Sequence, residues 1–340
     1  MTFKRSLALV AGAVAAVLLA ACGNATPITS GTPSPAPTIT PFASAEYAIP
    51  TASSQPGGIV SASDGGLWFT ETGAGRIGHV SSTAVVTDAP VLTSGSAPLM
   101  LANGSDGALW FTESGVPKVG RLTSLGGAII EYQLTDPTAR PWGITSGPDG
   151  ALWVTDPGSN SVWRIATDGT PTQYKLPTAN AGPTAITTAN NGAMWFVESN
   201  VDQIGTIVPG ASSSAPISEY KVSAGAGLTA IAQGSDNAIW FIESKADKIG
   251  RMLATGQVTA ETPLTGLVKP VSLVLARDNN FYITDQSSST IAQFNPSTGA
   301  VKTFATLTAS ASPYWITMGP DLELYFTEPG ANKIGQFRYF

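Results

Sequence analysis

Seven carboxylates stand at one recurring position: Glu71, Glu113, Asp156, Glu198, Glu243, Asp285 and Glu328. Such a ring could hold a hard cation, because these ions take oxygen ligands. Five residues after each acid come Arg76, Lys118, Ser161, Gln203, Lys248, Thr290 and Lys333. Four acids therefore face a base and both aspartates face a hydroxyl, which points instead to a clamp across a hairpin. A site that does chemistry breaks the symmetry around it, whereas a clamp repeats. Each exposed pair of this kind contributes about 0.2–1 kcal/mol. His79 is the only histidine and has no second histidine or thiol with which to hold a metal. No serine nucleophile can be paired with it from the sequence. It is expected at a surface position on an outer strand, opposite Trp68.

The positions that break the symmetry are more informative. A Pro-x-x-Ile phrase, or its equivalent, opens each copy of the repeat, and the residue after Pro varies: Gly57, Leu99, Trp142, Thr184, Thr229, Val271 and Tyr314. Arg140 and Lys269 stand just before Pro. If the copies surround a channel, one rim carries Trp142, Tyr314 and Leu99 with the cations Arg140 and Lys269 nearby. That set forms a cradle for an apolar or anionic small molecule, or for a protein. The alternative is that Trp142 and Tyr314 only cap the channel.

The elements that position these residues come from one unit. DGALWFTE at 106–113 recurs as DGGLWFTE, DGALWVTD, NGAMWFVE, DNAIWFIE, DNNFYITD and DLELYFTE. The aromatic anchors Trp68, Trp110, Trp153, Trp195, Trp240, Tyr282 and Tyr325 follow one another every 42–45 residues. In the third copy, strands are expected at 142–146, 151–156, 161–166 and 170–176, with turns at Asp149-Gly150 and Asp168-Gly169. Four short antiparallel strands per repeat, without helical periodicity, predict an all-β, seven-bladed β-propeller. The consecutive apolar residues of the second strand suit a strand covered on both faces.

Pairing each repeated acid with the residue five later sets a register. It places Phe69 opposite Gly78, Phe111 opposite Gly120, Phe196 opposite Gly205, Phe241 opposite Gly250 and Phe326 opposite Gly335. Where the pattern changes, both members change, giving Val154 with Trp163 and Ile283 with Ala292. Large meets small each time, as directly opposed side chains sharing one volume require. The last copy has no fourth strand, and Glu46-Tyr47-Ala48-Ile49-Pro50 mimics the missing one. Pairing it with the last blade would close the ring and remove an open edge.

The chain divides into residues 1–22, 23–44 and 45–340. The first begins with Lys4 and Arg5, continues through an apolar run from Leu7 to Leu18, and ends in Leu19-Ala20-Ala21-Cys22. This pattern resembles a lipoprotein signal peptide with lipid added to Cys22 after cleavage, so an extracytoplasmic protein anchored to a bacterial membrane is expected. Residues 23–44 are rich in Pro, Ser and Thr and form a tether reaching up to roughly 60 Å. Cys22 is the only cysteine, so its modification leaves no thiol for a disulfide or a thiolate metal site. A net charge of −6 without a basic cluster argues against nucleic acid, which is held by Lys and Arg. A monomer is expected.

The repeated phrase, seen in Arg140-Pro141-Trp142-Gly143-Ile144, Trp110-Phe111-Thr112-Glu113 and Lys248-Ile249-Gly250-Arg251, resembles the streptogramin B lyase (virginiamycin B lyase) family over residues 45–340. The resemblance implies a seven-bladed propeller. It also implies lyases that open a cyclic depsipeptide ester by elimination, using magnesium with histidine and glutamate side chains. The positions matching the two catalytic histidines are Val271 and Tyr314. Those matching the two acids are Ser312 and a place near Pro329. Neither Val nor Ser can act as the base, and a tyrosine of ordinary pKa near 10 would do so poorly. The expectation is a binding or scaffold propeller with no cofactor, magnesium being needed only if lyase activity is retained. A lyase using other groups, or another metal-assisted hydrolase, are the alternatives.

Overall fold

A computed structural model describes residues 41–123, 127–210 and 217–340. Cys22, the signal segment and most of the tether lie outside the described residues. Among those described there is no helix; they form seven four-stranded antiparallel sheets. The first strands of successive blades touch in a closed cycle, blade 7 meeting blade 1, which makes the ring a propeller. The compact unit spans Ile39–Phe340 and contains every strand and core cluster, so it has what it needs to fold alone.

The second strands of the seven blades are Leu67–Glu71, Leu109–Glu113, Leu152–Asp156, Met194–Glu198, Ile239–Glu243, Phe281–Asp285 and Leu324–Glu328. All their residues are buried. The apolar core accordingly consists of seven clusters, each between neighbouring blades. One, for example, joins Trp110 of blade 2 to Leu152 and Trp163 of blade 3.

The turn before each second strand explains its DGxxW spelling. Gly107, at φ 75°, turns the chain where an L side chain is disfavoured. Asp106 then accepts the Ala108 amide at 3.2 Å and the Trp110 indole N–H at 3.2 Å. Asp64, Asp149 and Asp236 bind their tryptophans in the same way. Asp278 and Asp321 accept the Tyr282 and Tyr325 hydroxyls.

Every large-small pair occurs in the expected register. A Cβ built on Gly205 would lie 2.1 Å from the Phe196 ring, so the glycine is required by that phenyl group. The closing strand, Phe42–Ala48, pairs antiparallel with Lys333–Arg338, setting Ala43 opposite Phe337 and Tyr47 opposite Ile334. It begins inside the stretch read as tether. The first strand of blade 3 is shorter than expected, Ile144–Ser146, because Trp142 and Gly143 lie outside the regular ladder.

Candidate functional site

The rim residues are positioned by the threonine of the LWFTE phrase. Thr112 Oγ1 accepts the Met100 amide at 3.1 Å and donates to the Trp142 carbonyl in the next blade at 2.8 Å. Thr284 likewise holds the Tyr314 carbonyl at 2.7 Å, and Thr327 holds that of Gly57 at 2.8 Å. Thr70 and Thr155 bind Leu99 and Thr184. In blades 4 and 5 the position is Val197 or Ile242, which has no hydroxyl. Thr229 and Val271, the residues those blades would hold, therefore lack this bond.

Thr229 and Val271 line the rim cavity, together with Trp142, Tyr314, Trp315 and Leu228. Its volume is about 250 Å³. Trp142 and Trp315 meet edge to face there, with Tyr314 stacked at an angle behind Trp315. Burial pushes the Tyr314 hydroxyl up to about 12. A second cavity of about 550 Å³ shares Ser199, Leu228 and Thr229 with the first and adds Lys245, Asp247 and Lys269. The two open side by side where the threonine bonds are missing.

Of the five rim residues expected from the sequence, Trp142 and Tyr314 meet in the first cavity and Lys269 lines the second. Leu99 packs against the same core cluster as Trp142 but lines neither cavity. Arg140 turns away, its guanidinium donating to the Ala139 carbonyl at 2.6 Å. Trp315 and Lys245 were missed, although both break the repeat. The third position of the opening phrase is Gly58, Met100, Gly143, Ala185, Ala230 and Ser272 before it becomes Trp315. The second residue after the repeated acid is Lys only at 245.

The hairpin clamp is corrected. The register pairs Glu71 with Arg76 and Glu113 with Lys118, but the bases turn to acids on the fourth strand. Lys118 lies 2.8 Å from Glu131 and Lys248 3.3 Å from Glu261, while Arg76 pairs with Asp88 and Lys333 with Glu46. The five glutamates are left fully buried, and both carboxyl oxygens of Glu71, Glu113, Glu243 and Glu328 lack a hydrogen-bond partner. Burial first, and the neighbouring acid second, push Glu71, Glu113 and Glu243 to about 7 and Glu198 and Glu328 to about 8. For Glu113 the neighbouring acid is Glu131. The shorter aspartates are satisfied differently. Asp285 accepts the Val268 and Lys269 amides at 2.6 and 2.9 Å, and Asp156 accepts that of Arg140 at 2.7 Å.

His79 is opposite Trp68 as expected, but it is not a surface residue. Its side chain is 12% exposed, lies 4.6 Å from the Trp68 ring between centroids, and approaches Asp64 at 3.1 Å. A further cavity of about 300 Å³ lies between blades 7 and 1 beside Tyr47 and Asp321. Asp321 is the one acid lining it and accepts the Tyr325 hydroxyl at 2.8 Å. Among the described residues, no group of three or more His, Cys, Asp and Glu side chains is placed to hold a metal.

Solved structures extend the comparison. A streptogramin B lyase is 29% identical with a TM-score of 0.80, the match covering 86% of this chain and 96% of that one. Virginiamycin B lyase from Staphylococcus aureus is 29% identical with a TM-score of 0.81, covering 87% and 99%. A catalytically inactive form of that enzyme with quinupristin matches equally well. No curated protein matches the chain. The model of the virginiamycin B lyase family matches residues 39–212 and 211–339, nearly the whole propeller. With the fold and the repeat in agreement with that match, the chain belongs to the virginiamycin B lyase family.

Proposed function

We propose that the protein is a lipid-anchored, extracytoplasmic binding propeller whose rim takes up an apolar or aromatic ligand without elimination chemistry. One observation carries this reading. The rim cavity is walled by Trp142, Leu228, Val271 and Trp315, and its single titratable side chain, Tyr314, is held protonated by burial. A base must accept a proton near the working pH, and a phenol at about 12 does so poorly. Val271 and Tyr314 also occupy the places where the family resemblance expects catalytic histidines. Lipid on Cys22 and the tether would hold a monomeric propeller near the membrane, and the acidic net charge disfavours nucleic acid.

Family membership favours a second reading, a lyase that opens a cyclic depsipeptide with different groups. Purified residues 39–340, incubated with intact streptogramin B and magnesium, separate the two. Turnover abolished by Tyr314→Phe overturns the binding reading. Absence of turnover, with saturable binding lost in Trp142→Ala, supports it.

A further inference from the structure

We propose that the trough made by the two adjoining rim cavities selects a small aromatic carboxylate, its ring seated against Trp142 and Trp315 and its anionic group on Lys245 and Lys269. This rests on the reading of the rim as a binding site and adds the chemical class of the ligand.

Three observations lead to it. The cavities share Ser199, Leu228 and Thr229, so an apolar end and a polar end are joined by common walls. Their volumes, about 250 and 550 Å³, suit a molecule of drug-like size. The polar end carries an uncommitted positive charge. Ten ion pairs tie up other cations of the propeller, whereas neither Lys245 nor Lys269 lies within 4 Å of a carboxylate among the described residues. Asp247 is the one acid lining that cavity, so two cations face one anion in a protein of net charge −6.

The third observation is local. The equivalents of Lys245 in other blades are Gly73, Gly115, Gly158, Asn200, Ser287 and Gly330. Gly227 lies beneath it at φ 61°, and a Cβ there would meet Lys245 Cγ at 2.5 Å. The missing side chain lets the lysine stem lie across the blade instead of standing away from it. Both departures from the repeat, Lys245 and the hydroxyl-free Val197 and Ile242, fall in blades 4 and 5, beside the trough.

A cation can discriminate an anionic ligand from its neutral isostere, and a charge-assisted hydrogen bond is stronger than a neutral one. The test uses matched probes: N-acetyl-phenylalanine, N-acetyl-tryptophan and N-acetyl-leucine, each against its C-terminal amide. Binding to residues 39–340 is followed by saturation-transfer NMR and calorimetry. At least one aromatic acid is expected to bind about tenfold more tightly than its amide at low salt. The preference should shrink at 0.5 M salt, roughly, where screening is strong. It should disappear in the Lys245→Gln/Lys269→Gln variant, while Trp142→Ala weakens acid and amide alike. Amides that bind as well as the acids, with both lost in Trp142→Ala, overturn the carboxylate selection and leave the apolar rim standing. Failure of every acid and amide to bind overturns both readings.

Discussion

Trp142 and Trp315 meet edge to face at the channel mouth, with ring centroids 6.0 Å apart and planes at 65°. Trp142 opens blade 3 and Trp315 opens blade 7, so neither lies in a neighbouring blade of the other. Trp315 also packs against the clusters between blades 2 and 3, 4 and 5, and 7 and 1. One side chain thus ties distant parts of the ring together and forms a wall of the candidate site.

Trp315→Ala should cost about 1–3 kcal/mol in chemical denaturation, less than a fully buried tryptophan because the ring is partly exposed. A double-mutant cycle with Trp142→Ala should return a coupling of about 0.5–1.5 kcal/mol, the value of an aromatic edge-to-face contact. Zero coupling would mean that the two rings are merely neighbours.

Thr112→Val keeps the shape of the side chain and removes both of its hydrogen bonds. The Met100 amide then loses its Thr112 acceptor in a buried site, a loss of about 1–3 kcal/mol. Because the same hydroxyl holds the Trp142 carbonyl, binding at the rim should weaken as well. An unchanged midpoint in urea would contradict the role given to this bond.

The five buried glutamates predict an unusual pH profile. Their ordinary value is 4.5, and Glu198 and Glu328 rise to about 8 in the folded protein. Between these values the folded state holds protons that the unfolded state has released, so raising the pH favours unfolding. Thermal midpoints should fall from pH 5 to pH 8. Glu198→Gln removes one titrating group without changing its shape, and should raise the midpoint at pH 8 and flatten the profile. A midpoint that climbs over this window would rule out protonated glutamates in the blades.

Gly250→Ala should destabilise by about 1–3 kcal/mol, because its Cβ would sit 2.2 Å from the Phe241 ring. Adding Phe241→Ile recreates the Ile283–Ala292 pair of blade 6 and should recover most of the loss. Denaturant titrations of both variants check the compensation.

The seam gives a fifth test. Glu46 accepts the Thr308 amide and hydroxyl, each at 2.7 Å, and pairs with Lys333. Glu46→Ala should lower stability by about 1–3 kcal/mol, since several charge-assisted bonds are lost at once. Removing residues 39–48 exposes the edge of the Lys333–Arg338 strand and should cause aggregation, visible in light scattering. A monomeric truncated protein would show that closure does not depend on this strand.

The repeat period, the opposition of phenylalanine to glycine and the strand borrowed from the N-terminus were all legible in the sequence. They depend on spacing along one strand and on volumes directly across one hairpin. The direction of Lys118 and its equivalents was not legible, since a lysine opposite Glu113 can also reach Glu131 on its other side, where it stays partly exposed instead of entering the blade interior with Glu113. Leu99 holds the same place in the repeat as Trp142, and Arg140 the same place as Lys269, but only side-chain direction decides which of them faces a cavity.

The chain alone determined that seven blades form and how each hairpin is aligned, because those are local contests between neighbouring side chains. Which residues share a cavity was decided only in three dimensions. Trp142, Lys245, Lys269 and Trp315 come from four different blades, and the curvature of the closed ring brings them to one rim.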